Sequence, residues 1–223
     1  MGKDKKLMVF DVDGTITPHG VSVVNETAAA LCELERRGHF VAFASGKTVE
    51  YLDGLARGLG LAGRYLIAEN GGVLYHDGRI HLMAERPAFF NKHHNEIERL
   101  FPKARMQHNM MNLTALATGE TLEAVVEHLK AAGLLDGSSC RSYLHCDSVE
   151  LLPFGVDKGR ALRRLKQMLD FKLCDVIAVG NGQNDEPMRS EAGTFLAVGN
   201  EIEADEHFAD THALMAELLR RFH

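Results

Sequence analysis

Two carboxylates, Asp11 and Asp13, stand at the end of a short apolar run near the start of the chain. We predict a strand over Leu7–Val12, and alternation along a strand would place both carboxylates on one face. Carboxylates so close together repel, and each raises the pKa of the other unless a cation lies between them. Mg²⁺ suits such a pair, because it binds one or two carboxylates together with the phosphate oxygens of a substrate.

Gly14 follows this pair and permits a tight turn that brings backbone N–H groups towards an anion. The alternative is a helix-capping Asp followed by an Asp-Gly turn. That alternative explains Asp13 and Gly14, but it does not explain why Asp11 ends an apolar strand.

A second apolar run leads into the loop Gly-Asn-Gly-Gln-Asn-Asp, which ends at Asp185. Such a run is typical of a buried strand that delivers a loop to a site. A dinucleotide-binding fingerprint would need Gly in place of Asp185 and belongs to the first strand–helix turn of a sheet, so we reject it. As a cation loop, the segment offers oxygen ligands from Asn181 and Asp185, and Asn184 can donate to a phosphate.

Two further segments carry residues typical of phosphate binding. Ser45 and Gly46 follow the predicted strand Phe40–Ala44, where a hydroxyl and free amides at a helix N-terminus form a phosphate seat. A Walker A loop is excluded, because the Gly that it requires five positions before Gly46 is Val41. Lys158 falls in the first turn of a predicted helix, where a cation opposes the helix dipole, so a nearby anion explains it better than simple solvation.

Strands and helices alternate at both ends of the chain. The predicted strands are Leu7–Val12, Phe40–Ala44, Tyr65–Ala68, Asp175–Val179 and Thr194–Val198, and a hairpin is predicted over Gly72–Ile80. The predicted helices cover residues 25–38, 48–58 and 157–169, and a last helix ends at Arg221. This alternation predicts an α/β fold with a doubly wound, Rossmann-like parallel sheet.

The middle of the chain interrupts this pattern. Residues 83–152 are rich in His, Met, Asn and Glu and contain one clear amphipathic helix, Thr121–Ala132. We therefore predict a core formed by residues 1–82 and 153–223, with a small α+β domain inserted at 83–152. The insert follows a hairpin near the carboxyl edge of the sheet, so it could cover the edge where ligands bind.

The insert contains several histidines, which are His93, His94, His108 and His145. Their spacing in the sequence matches no tight metal-ligand pattern. We therefore expect these side chains to be solvated, or to be satisfied by neighbouring groups, rather than to bind a metal ion.

Composition excludes some classes of partner. The chain has 223 residues and a formal net charge of −6. Nucleic acids and anionic membranes repel an acidic protein, so no partner of either kind is expected. No apolar stretch reaches membrane-spanning length. The four cysteines lack CxxC spacing, which favours reduced thiols in a cytoplasmic protein. We expect a monomer or a homodimer.

Four segments taken together resemble a known family: DVDGT at 11–15, ASGKT at 44–48, DKG at 157–159 and GNGQNDEPM at 180–188. In order and spacing they resemble the four motifs of the haloacid dehalogenase superfamily. The segment Asn70–Gly72, followed by a hairpin and an insert, resembles the Cof-type or sucrose-phosphate-phosphatase-like branch (subfamily IIB) with its C2-type cap. The resemblance implies a Mg²⁺-dependent phosphatase that hydrolyses small phosphomonoesters through an aspartyl-phosphate.

The resemblance also implies a role for each motif residue. Asp11 would attack phosphorus, and Asp13 would protonate the leaving alcohol and then activate water. Ser45 and Lys158 would hold phosphate oxygens. Further phosphate contacts are expected from Gly14, Gly46 and Asn184, and metal ligands from Asp11, Asp13, Asn181 and Asp185.

Asn181 departs from the family pattern, which has Asp after the Gly at position 180. A neutral amide in place of an anionic ligand implies weaker Mg²⁺ binding, while Asp185 compensates and activity is retained.

The expected substrate is a small phosphorylated metabolite: a sugar phosphate, phosphoglycolate or a phosphorylated glycerate derivative. Two alternatives stay open, which are a phosphotransferase or mutase with the same intermediate, and a non-catalytic regulatory module. A receiver-like module would need an Asp after the third strand, where this chain has Asn70.

Overall fold

A computed structural model describes residues 5–17 and 22–222, and the chain divides into two compact units. The core unit comprises Met1–His81 and Asp157–His223, and the inserted unit comprises Leu82–Val156. The insert was predicted at residues 83–152, so the division falls one residue earlier at its start and four residues later at its end.

In chain order, the strands are β1 (Leu7–Phe10), β2 (Phe40–Ala44), β3 (Tyr65–Ala68), β4 (Val73–His76), β5 (Arg79–Leu82), β6 (Arg105–Met106), β7 (Leu113–Leu116), β8 (Arg141–Leu144), β9 (Ser148–Leu152), β10 (Val176–Gly180), β11 (Thr194–Val198) and β12 (Glu206–Phe208). The helices are α1 (Asn25–Arg36), α2 (Val49–Leu59), α3 (Ala88–Leu100), α4 (Gly119–Ala131), α5 (Lys158–Met168), α6 (Glu186–Arg189) and α7 (Thr211–Arg221), with 3₁₀ turns at Glu69–Gly71 and Leu173–Asp175. Within residues 5–17 and 22–222, each helix is too short or too polar to cross a bilayer.

An eight-stranded sheet forms the centre of the core unit, in the order β12-β11-β10-β1-β2-β3-β4-β5. The strands from β12 to β3 pair in parallel, and β4 runs antiparallel to β3. Both β1 and β10 are buried along their whole lengths, as expected for parallel strands covered on two faces. The predicted α/β fold with a mostly parallel sheet is confirmed.

The position of β1 within this sheet determines where the predicted site lies. Phe10 at its end pairs with Val179 of β10 on one side and with Phe43 of β2 on the other. Chain order runs in opposite directions on the two sides of β1, which makes this a topological switch point. The loops that leave the carboxyl ends of these three strands therefore meet at the edge where α/β sheets bind ligands.

The first strand ends two residues earlier than predicted. The carbonyl of Val12 accepts the N–H groups of residues 15–17 at 3.1–3.2 Å, which closes a tight turn immediately after β1. Asp11 and Asp13 thus follow the last residue of β1, and the expectation that their side chains share one face stays a prediction. Gly14 adopts a φ of 85°, in the left-handed region that a glycine tolerates.

The inserted unit has its own sheet and its own core. Its antiparallel strands lie in the order β6-β7-β9-β8. Its buried apolar residues include Phe90, Ile97, Leu113, Val125, Leu129 and Leu151. The predicted helix corresponds to α4, whereas α3 was not predicted. The buried face of α3 consists of Phe90, His93 and Ile97, so a histidine occupies a core-facing position.

Candidate active site

Lys158 lies between two carboxylates at the start of α5. Its side chain is fully buried, and its ammonium is 2.7 Å from Oδ1 of Asp11 and 2.6 Å from Oδ1 of Asp185. Asp11 follows β1 and Asp185 ends the loop after β10, so three distant segments of the sequence meet at one cation. Lys158 is thus a paired, buried lysine, and the alternative of a solvated surface lysine is wrong.

Electrostatics at this cluster favour a charged lysine and oppose a charged Asp11. Burial by itself lowers the pKa of Lys158, but the two carboxylates outweigh burial and hold that pKa above its usual range. Burial and the charge of Asp185 raise the pKa of Asp11 to about 6, although Lys158 offsets part of this rise. A further cation beside Asp11 would favour its ionised form, because an opposite charge lowers the pKa of a carboxyl group.

The loop after β10 is folded around the carboxylate of Asp185. The Oδ2 atom of Asp185 accepts the backbone N–H groups of Asn181 at 2.9 Å and Gly182 at 3.1 Å. A side chain at Gly180 would meet Asp185, since an added Cβ would come within 2.4 Å of the Cβ of Asp185. Both oxygens of Asp185 therefore already accept hydrogen bonds, and a role as metal ligand stays a prediction that depends on their remaining lone pairs.

Oxygen atoms converge at Oδ2 of Asp11, whereas Lys158 contacts Oδ1 of the same carboxylate. The terminal amide of Asn181 presents one atom 3.2 Å from each of three oxygens: Oγ1 of Thr15, the backbone carbonyl of Asp13 and Oδ2 of Asp11. With its nitrogen turned towards them, the amide donates to all three. In the other orientation, the amide oxygen of Asn181 faces these oxygens. It then forms, with the Asp13 carbonyl and Oδ2 of Asp11, a group of three oxygens that we call the oxygen seat.

This seat fits Mg²⁺. Neighbouring ligands in an octahedral site with bonds of 2.0–2.1 Å are about 3 Å apart. The Asn181 amide atom lies at a similar distance, 3.2 Å, from both the Asp13 carbonyl and Oδ2 of Asp11. The hydroxyl of Thr15, which sequence reasoning overlooked, donates to Oδ2 of Asp11 at 3.0 Å and helps to fix that oxygen. The residues present are therefore compatible with a magnesium ion held by Asp11, the Asp13 carbonyl and Asn181.

The carboxylate of Asp13 has a different neighbour from that of Asp11. Its Oδ2 atom lies 3.1 Å from the ammonium of Lys47, and both side chains are about one-third exposed. Lys47 comes from the loop after β2, and its pairing with Asp13 was not predicted. Asp13 thus presents an accessible carboxylate beside a cation, and only its backbone carbonyl is directed towards the Asn181 amide.

The other predicted phosphate contacts take part in hydrogen bonds that shape the site. Ser45 is buried, and its Oγ accepts the N–H of Lys47 at 3.3 Å. Asn184 donates from its side chain to Oδ1 of Asn70 at 3.0 Å, which links the loops after β10 and β3. The N–H of Gly14 donates to a carbonyl within its own turn at 2.6 Å, so a phosphate contact from it would require that turn to open. Gly46, beside Ser45, is half-buried.

The start of α5 packs closely against neighbouring backbone at two glycines, where there is no room for a side chain. A Cβ at Gly159 would come within 2.1 Å of the carbonyl oxygen of Pro187, and a Cβ at Gly71 within 2.1 Å of the carbonyl oxygen of Asp157. Gly71 has a φ of 93°. These close backbone approaches fix the position from which Lys158 reaches its two carboxylates.

We expect Gly159→Ala to lower the free energy of unfolding by about 2 kcal/mol or more, because the new methyl group meets backbone atoms that cannot rotate away. Gly54→Ala in α2 is the matched control, since a Cβ there meets nothing within 4 Å. The control is expected to be more stable than the wild type by about 0.5–1 kcal/mol, the usual gain for Ala over Gly in a helix. Urea denaturation of both variants checks the contrast, and equal effects would contradict it.

Comparison with known proteins identifies the family. The chain matches the model of haloacid dehalogenase-like hydrolases over residues 8–87 and 83–214. It is 31% identical to a phosphoglycolate phosphatase of Methanopyrus kandleri over 211 residues, which cover 92% of this chain and 88% of the relative. It is 27% identical to an HMP-PP phosphatase of Yersinia enterocolitica over 234 residues, which cover 88% of this chain and 85% of the relative.

A solved structure supports the fold. A haloacid dehalogenase-like hydrolase from Bacteroides thetaiotaomicron superposes with a TM-score of 0.81, covers 98% of this chain and 100% of its own length, and is 20% identical. The family model and the Methanopyrus kandleri relative show that the chain belongs to the haloacid dehalogenase-like hydrolases. The predicted enzyme class, a phosphatase of this family, is confirmed.

Proposed function

We propose that the chain is a Mg²⁺-dependent phosphomonoesterase that acts through an aspartyl-phosphate on Asp11. The observation that carries the proposal is the contact of Oδ1 of Asp11 with buried Lys158 at 2.7 Å, while Oδ2 of the same carboxylate belongs to the oxygen seat. A nucleophilic carboxylate needs to be ionised and fixed in direction. Lys158 favours the ionised form and holds Oδ1 in place, and a cation at Oδ2 would further favour the ionisation that burial opposes. Phosphoryl transfer depends chiefly on such positioning and on neutralisation of charge.

In the first step, a carboxylate oxygen of Asp11 attacks phosphorus, the bond to the ester oxygen breaks, and Asp13 donates a proton to the leaving alcohol. In the second step, water attacks phosphorus, Asp13 takes the water proton, and inorganic phosphate leaves while Asp11 is regenerated. The carboxyl group of Asp13 is partly exposed, so a substrate can reach it, and Lys47 lies 3.1 Å from it. Ser45 and Lys158 are assigned to the phosphate oxygens.

The metal ion in this proposal is held by Asp11, the carbonyl of Asp13 and Asn181, with Asp185 as the further predicted ligand. Bound Mg²⁺ neutralises charge on the phosphoryl oxygens and orients the group for in-line attack. In the same proposal, the inserted unit is the C2-type cap expected from the sequence, and it determines which leaving group is accepted.

The relatives suggest which substrates to test first. Phosphoglycolate is the substrate in the name of the Methanopyrus kandleri relative. A relative from Bacillus subtilis, 26% identical over 224 residues that cover 93% of this chain and 89% of its own length, is named for a phosphorylated ribitylamino-uracil. We therefore propose a small phosphorylated metabolite as substrate, with phosphoglycolate, sugar phosphates and phosphorylated glycerates as the first candidates.

A screen of phosphorylated metabolites with Mg²⁺ and with EDTA tests this proposal. We expect phosphate release that needs Mg²⁺ and that is absent in Asp11→Asn. Transfer of the phosphoryl group to an added alcohol in preference to water would instead identify a phosphotransferase. A wild-type protein no more active than Asp11→Asn would favour a regulatory module.

We expect Asn181→Asp to tighten the Mg²⁺ requirement by about 10-fold or more, because it places an anionic oxygen in the proposed metal seat. Gln183→Glu is the matched control, since it adds the same charge to the same loop at an exposed side chain. Mg²⁺ titration of phosphatase activity measures both variants. An equal shift in the two would indicate a general charge effect and would count against Asn181 as a ligand.

A further inference from the structure

Three potential metal ligands meet between α3 and α4 of the inserted unit. His93 and Glu96 are one turn apart on α3, and His128 lies in the last turn of α4. Oε2 of Glu96 is 3.0 Å from Nδ1 of His93 and 3.6 Å from Nε2 of His128. All three ligand atoms lie within 4.8 Å of one another.

Both imidazole nitrogens lack a hydrogen-bond partner. Among the described residues, Nδ1 of His93 and Nε2 of His128 are enclosed atoms that form no hydrogen bond, even though the same carboxylate oxygen is close to both. A buried polar atom without a partner is costly, and an absent ion is one of its ordinary explanations. Such short distances without hydrogen bonds would arise if Nδ1 of His93, Nε2 of His128 and Oε2 of Glu96 were all directed towards one point between them.

The distances fit a tetrahedral metal ion. Ligands at 2.0–2.1 Å from a tetrahedral zinc ion lie about 3.4 Å from one another, which is between the two observed nitrogen–oxygen distances. Two imidazoles and a carboxylate are ligand types that zinc accepts, and a set of three leaves a fourth position for water.

The surroundings also fit. The side chains of Glu96 and His128 are about one-quarter exposed, which gives solvent access on one side. The rings of Phe89 and Phe101 contact the two histidines on other sides. Lys92 approaches Oε1 of Glu96 at 3.9 Å, which leaves Oε2 as the oxygen that faces the histidines. A partly apolar shell of this kind restrains solvent around a metal site.

We propose that the inserted unit binds one zinc ion through His93, Glu96 and His128. The ion ties the C-terminal turn of α4 to the middle of α3, so that binding stabilises this unit. No ligand of this site belongs to the candidate active site. The inference therefore does not depend on the phosphatase mechanism. For His93, it replaces the expectation that the side chain is solvated or satisfied by neighbouring groups.

Isothermal titration of the full chain with Zn²⁺, in the presence of excess Mg²⁺, tests the proposal. We expect one zinc ion per chain, and the same result for Asp11→Asn, because the active site is not involved. His93→Gln and His128→Gln should each weaken binding by about 100-fold or more, since loss of even outer-shell partners costs about 10–100-fold. Substitution with Co²⁺ should give the intense visible absorption of a tetrahedral site in the wild type and not in these variants.

His94→Gln is the matched control. His94 is next to His93 on α3, but its ring lies near His108, with 6.1 Å between ring centroids. Zinc binding should survive this change. Zinc binding that is lost in His94→Gln and retained in His93→Gln would overturn the proposal, as would the absence of any zinc binding by the wild type.

A second measurement guards against variants that fail to fold. The wild type should melt at a higher temperature with Zn²⁺ than with a chelator, and Glu96→Gln, at a partly exposed position, should lose this difference while its metal-free circular dichroism matches the wild type. A folded Glu96→Gln protein that keeps the full zinc-dependent rise in melting temperature would contradict the proposed ligand set.

Discussion

Changing Asp11 to Asn is expected to reduce kcat/KM for a phosphomonoester by at least about 10⁴-fold, the scale on which enzymes lose activity when a nucleophile is removed. An amide of the same shape can still accept a hydrogen bond from Lys158, but it cannot form an acyl phosphate. Steady-state kinetics with any substrate found in the screen measure this loss. A variant that keeps more than a small fraction of wild-type activity would exclude Asp11 as the nucleophile.

The same variant should not be less stable than the wild type. Burial and the charge of Asp185 raise the pKa of Asp11 to about 6 in the folded chain, above its ordinary value of 3.8. A carboxyl group with a raised folded pKa favours the folded state only when protonated, so ionisation of Asp11 opposes folding progressively as pH rises from about 4 to about 6. Above that window and without metal, Asp11→Asn should gain on the order of 2 kcal/mol in free energy of unfolding.

Asp185→Asn provides the contrast. Asp185 is fully buried, and one of its oxygens accepts two backbone N–H groups while the other accepts Lys158. An amide must turn its own N–H₂ group towards one of these donors, which leaves buried donors unsatisfied at a cost of about 1–3 kcal/mol. Chemical denaturation at pH 8 in EDTA should therefore show opposite signs for the two variants. Equal destabilisation would contradict the different roles assigned to the two carboxylates.

Lys158→Met is expected to produce the largest loss of stability. It would leave Asp11 and Asp185, whose side chains are 7% and 0% exposed, without their shared cation. Breaking a buried ion pair by removal of one partner costs about 3–5 kcal/mol. Activity should fall by about 10³-fold or more, because the fixed charge beside the nucleophile is also lost.

A second substitution separates this effect from a simple loss of packing. If the cost arises from repulsion between uncompensated carboxylates, Lys158→Met with Asp11→Asn should be more stable than Lys158→Met alone. Arg164→Met on the same helix is the control, because its side chain is exposed, so the free energy of unfolding should change by no more than about 0.5 kcal/mol. A double variant no more stable than Lys158→Met would argue against the electrostatic explanation.

Much of the core and the site could be predicted because their signals are local. Apolar runs followed by Gly and polar residues correctly indicated β1, β2 and β10, and parallel strands necessarily bring the segments after them to one edge. Lys158 was detectable because a cation in the first turn of a helix opposes the helix dipole and requires an anion. A short strand such as β12 was missed, because Glu206–Phe208 has no apolar run to mark it.

The contacts within the site could not be predicted, because they depend on turns and not on periodicity. The Val12 carbonyl accepts three N–H groups in the turn that follows β1, and no sequence pattern predicts these bonds. The pairing of Asp13 with Lys47 joins two loops whose relative position no sequence pattern reveals. In the inserted unit, α3 was missed because His93 occupies a position where a helix pattern expects an apolar residue.

Chemical trapping of the phosphorylated enzyme tests the central claim most directly. Borohydride added during turnover reduces an acyl phosphate on an aspartate to homoserine, and peptide mass spectrometry locates the modified residue. We predict homoserine at position 11, formed only when both substrate and Mg²⁺ are present. Turnover that leaves Asp11 unmodified, or that places the modification on another carboxylate, would contradict an aspartyl-phosphate at this position.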